Sequence, residues 1–86
     1  MTNSEKNLLV SSLENALEDA QAGAGVSASL DEIETAIAAL RTAYDTDPDT
    51  VTAANLVAAI DMVLGCSFSS LSNIAAVIST ARSEAA

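Results

Sequence analysis

The chain has 86 residues, a net charge of −9, three Lys and Arg in all, and no His. A chain this short supports one small core, and three scattered cations exclude the clustered basic surface that nucleic acid or an anionic membrane requires. Without His, both the common general base near neutral pH and the common neutral metal ligand are missing.

Charge is unevenly placed. Ten acids stand against Lys6 and Arg41 up to Asp49, whereas everything later carries only Asp61, Arg82 and Glu84. Residues 62–81 contain no ionisable group except the Cys66 thiol. A single domain, 1–86, is therefore expected, with an acidic helical half 1–49 facing water and a neutral Ala/Ser-rich half 50–86 facing protein.

The predicted elements begin with a capping box, Thr2 and Glu5, which opens a helix over 3–22. Leu9, Leu13, Ala16, Leu17 and Ala20 recur along it at helical spacing. Gly23 and Gly25 end it. Ser29 and Glu32 form a second capping box, and Ile33, Ala36, Ile37, Leu40 and Tyr44 give the stripe of a helix over 29–44. Its acids, Asp31, Glu32 and Glu34, lie in the first turn and Arg41 near the last, which suits the helix dipole.

Asp47 followed by Pro48 reads as the cap and first residue of a third helix over 48–64, with Ala53, Leu56, Val57, Ile60, Val63 and Leu64 as its stripe. Leu71, Ile74, Ala75, Ile78 and Ala81 mark a fourth helix over 69–83. Gly65 can stop the third helix, and Ser67 or Ser69 can cap the fourth. The competing reading joins these two as one long bent helix, because the apolar spacing continues with one irregularity near Phe68. No alternating strand pattern occurs, so the class is all-α: a small antiparallel bundle of three to four helices. The expected central apolar contacts, within a copy or between copies, are Ile33, Ile37, Leu40, Val57, Ile60, Leu64, Leu71, Ile74 and Ile78, with the acidic helices outermost.

The N-terminal residues carry acids where a secretory signal would carry a basic start, so no cleaved signal is expected and the location reads as cytoplasmic or particle-associated. Ser67, Ser69, Ser70, Ser72, Asn73, Ser79 and Thr80 argue against a membrane span in the uncharged stretch. A lone Cys cannot close an internal disulfide, and without His it has no visible activation, so Cys66 reads as a small buried apolar residue.

Asp45, Asp47 and Asp49 resemble the start of a calcium loop, but no Gly or closing Glu follows at the required places, and a solvated helix-capping turn is expected. Asp61 interrupts the third stripe and is expected to reach solvent; if buried, it would need Arg82 or Lys6 as a partner. No metal site or catalytic residue emerges.

The tripeptide Ser29-Leu30-Asp31 opening the second helix, together with Ala58-Ala59-Ile60-Asp61, resembles segments of acyl carrier proteins. That resemblance implies a small acidic helical bundle, a phosphopantetheine arm on Ser29 and docking of basic partner enzymes to the second helix. Ala28 stands where the family has Asp, the long first loop is replaced by a short Gly/Ala-rich one, and about twenty residues follow Gly65 beyond the family pattern. In length and layout the chain is also similar to small α-hairpin subunits of secretion needles and to helical viral particle proteins.

The leading expectation is a non-enzymatic structural or assembly protein that needs no cofactor. A positive mean hydropathy in so small a chain suggests apolar surface left for other copies or a larger particle. Leu64, Phe68, Leu71, Ile74, Ala75 and Ile78 are the candidate interface. A carrier modified at Ser29 is the alternative, and a small acidic adaptor or chaperone is the second alternative.

Overall fold

Thr2 starts the first helix by reciprocal capping: its hydroxyl accepts from the Glu5 amide at 3.1 Å, and its own amide donates to the Glu5 carboxylate at 2.8 Å. In the computed structural model, which describes residues 1–22, 30–64 and 74–86, this helix is α1, Asn3–Ala22. It is followed by α2 (Leu30–Thr46), a 3₁₀ turn (Pro48–Thr50), α3 (Ala53–Leu64) and α4 (Ala75–Ala85). The described residues are all-helical apart from short connections, with no strand among them.

The boundaries differ from expectation most clearly at the reversal after α2, which itself continues two residues past 44. Asp47 does cap, its carboxylate accepting from the Asp49 amide at 3.1 Å, and Pro48 does take the first position. The element they open is nevertheless only a single 3₁₀ turn, not a helix over 48–64. The reason lies at Val51, which adopts extended backbone (φ −87°, ψ 106°) and is fully buried. Sending that side chain inward takes the chain out of helical geometry. Thr52 then starts α3, its hydroxyl accepting from the Asn55 amide at 3.2 Å.

The core is drawn from all four helices. Leu9, Val10 and Leu13 of α1 and Leu56, Ile60 and Val63 of α3 are fully buried; Ala59 of α3, Ile33, Ile37 and Leu40 of α2, Ala81 of α4, and Val51 from the connection before α3 complete the cluster. Val57, Ile74 and Ile78, expected at its centre, are partly buried and pack against its edge. Acidic α1 is thus as much a core helix as neutral α3, which corrects the expectation that the acidic helices lie outermost. Only one face of α1 is acidic: Glu18 and Asp19 are exposed, while the opposite stripe is dry.

Helix α3 packs against each of the other three. Helices α1 and α2 run antiparallel, since Tyr44 near the end of α2 donates to the Asn3 carbonyl at the start of α1. Helices α3 and α4 lie side by side, and the Arg82 guanidinium donates to the Asp61 carboxylate at 2.7 Å. Those residues are 21 positions apart, which on one continuous helix would separate them by about 31 Å. The single bent helix is therefore excluded. Gly65 as a stop and Ser67 or Ser69 as a cap lie outside the described residues, as do Ser29 of the second capping box, Cys66 and Leu71. A radius of gyration of 12.1 Å matches the value of about 12 Å expected for one compact domain of this length.

Candidate interaction surface

Helix α4 has two chemically distinct faces. Ile74, just before it, and Val77, Ile78 and Ala81 turn toward the core. Ala75, Ala76, Ser79, Thr80 and Ser83 are exposed and occupy the opposite arc. No charge lies within that outer strip. Thr80 donates its hydroxyl to the Ala76 carbonyl at 3.1 Å, so this hydroxyl spends its proton on its own helix.

The charges bordering the strip are held by neighbours. Arg82 reaches Asp61 of α3, and the Glu84 carboxylate pairs with the Met1 ammonium, which brings the last turn of α4 to the start of α1. Asp61 is exposed as well as paired, so both parts of its expected behaviour meet in one geometry. Of the candidate interface residues, Ala75 is exposed, whereas Ile74 and Ile78 are half-buried against this copy's own core. Leu64 is the last residue of α3, and Phe68 and Leu71 lie outside the described residues.

Across the molecule, α1 and α2 are joined by a polar network that spacing did not reveal. Arg41 donates through Nε and Nη2 to the Glu14 carboxylate, the closest contact being 2.7 Å, and through Nη2 to the Ser11 hydroxyl at 3.2 Å. It also reaches Asn7 and Asp45, and its guanidinium carbon lies 5.7 Å from the centre of the Tyr44 ring. The hydrogen bond to Glu14 raises the Arg41 pKa further, so its charge is permanent. Lys6 donates to the Pro48 carbonyl at 3.0 Å, tying α1 to the reversal. All three Lys and Arg side chains of the chain are thereby engaged between elements, and exposed acids such as Glu18, Asp19, Asp31 and Glu32 dominate the exterior.

The aspartates of the reversal do not converge. Asp45 lies beside Arg41, and Asp47 accepts from the Asp49 amide. Among the described residues no group of three His, Cys, Asp or Glu is placed to hold a metal ion, and no helix is long and apolar enough to cross a membrane. Glu5 is held below the usual glutamate range chiefly by the Thr2 amide, with the Thr2 hydroxyl contributing, which identifies it as a cap. Ser29 lies outside the described residues, immediately before the first residue of α2. No protein-family model matches the chain, and neither a curated protein nor a solved structure matches it.

Proposed function

We propose that this chain is a non-enzymatic structural or assembly protein, of the kind that builds a viral particle or a secretion or filament subunit array, and that it meets identical copies or a host particle through its neutral C-terminal helices. The observation that supports this reading is the uncharged outer strip of α4, Ala75, Ala76, Ser79, Thr80 and Ser83, on a molecule whose net charge is −9. Two such molecules repel through their acidic faces, and a strip without charge is where contact costs least.

The exposed side chains bear on the physical basis of the proposed association. Among the described residues Leu8 is the one exposed large apolar side chain, because the single copy buries or partly buries the others whose burial is described. Close approach of small side chains, rather than a large apolar patch, is the mode of contact that fits α4. An eleven-residue helix is only about 16 Å long, whereas a stable interface covers about 800 Å² per partner. The proposed interface therefore extends over the sequence from Leu64 to Ala81.

Charge placed on the strip is the test. Ala75→Glu alters an exposed position and should abolish association while leaving the fold intact, whereas Ile74→Glu also disturbs the core edge. Glu18→Ala is the matched control; Glu14 is unsuitable because it holds Arg41. A second reading, the Ser29 carrier, draws support from the start of α2 at Leu30 and the exposed acids Asp31 and Glu32 in its first turn. Intact mass together with native mass separates the readings: a phosphopantetheine adduct on Ser29 would favour the carrier, a defined oligomer the assembly protein, and an unmodified monomer the acidic adaptor.

A further inference from the structure

We draw no further inference here: the strongest candidate, the open polar groove between the first turn of α1 and the last turns of α4, carries nothing because its two carboxylates, Glu5 and Glu84, are already engaged by Thr2 and Met1 and nothing in the structure shows what covers it.

Discussion

Arg41 centres the polar network that joins α1 and α2. Its guanidinium sits between Glu14, Ser11 and the Tyr44 ring with about a quarter of its side chain exposed, and the planar fork matches the carboxylate in a way an ammonium does not. Solvent discounts the pair, since Glu14 is 40% exposed, so Arg41→Ala should cost about 1 to 2 kcal/mol rather than the larger value of a dry pair. Arg41→Lys should recover less than half of it. Urea unfolding of Arg41→Ala, Glu14→Gln and the double variant measures the coupling, and strictly additive losses would show that the contact contributes nothing. At the start of α1, the lowered pKa of Glu5 has a defined sign. Its stabilising contribution is complete above the ordinary glutamate range and is lost as pH falls through the lowered folded value. Thr2→Pro, which removes that amide, should bring the Glu5 titration, followed by NMR, back toward the ordinary value, whereas Thr2→Ala keeps the amide and should do so only in part; an unchanged titration in Thr2→Pro would remove the amide as its cause.

At the scale of elements, the buried stripes of α1 and α3 make a sharp prediction about core energetics. Leu13→Ala or Ile60→Ala, each at a fully buried position, should cost about 2 to 5 kcal/mol, while Ile78→Ala at the half-buried edge should cost less. Thermal unfolding followed by circular dichroism checks the order, and equal losses at all three sites would mean that the core is misplaced. Three to four helices were legible in the sequence because Leu9, Leu13, Ile33, Ile37, Leu56, Ile60, Ile74 and Ile78 repeat at helical spacing and because Thr2 and Glu5 stand three apart. The reversal after α2 was legible too, but not that it forms a separate 3₁₀ turn before α3. Asp47-Pro48 signals the start of helical geometry equally well for one turn or four, and only burial of Val51 decides between them. Nor does any local pattern connect Glu14 to Arg41, since the contact depends on how two helices are rotated about their axes. The carboxylate–cation choice for Asp61 was readable as a short list because so few cations exist, and Arg82 proved to be the partner.

The whole molecule combines a closed apolar core with an exterior whose cations are all engaged. Local charge counts made α1 look like a solvent helix, yet an amphipathic helix contributes to the core through one stripe whatever its net charge. The same closure bears on the candidate interface: Ile74 and Ile78 serve this copy's core edge, whereas Ala75 and its neighbours on the outer arc are exposed. With net charge −9 on each copy, like-charge repulsion opposes association and salt relieves it, the screening length falling to about 10 Å at 0.1 M. The most direct measurement of the central claim is sedimentation of the full chain over a range of concentrations at about that ionic strength, beside Ala75→Glu and Glu18→Ala. A defined oligomer is expected for the parent chain and for Glu18→Ala, and a folded monomer for Ala75→Glu. A parent chain that stays folded and monomeric at high concentration, with no host particle to receive it, would contradict the account.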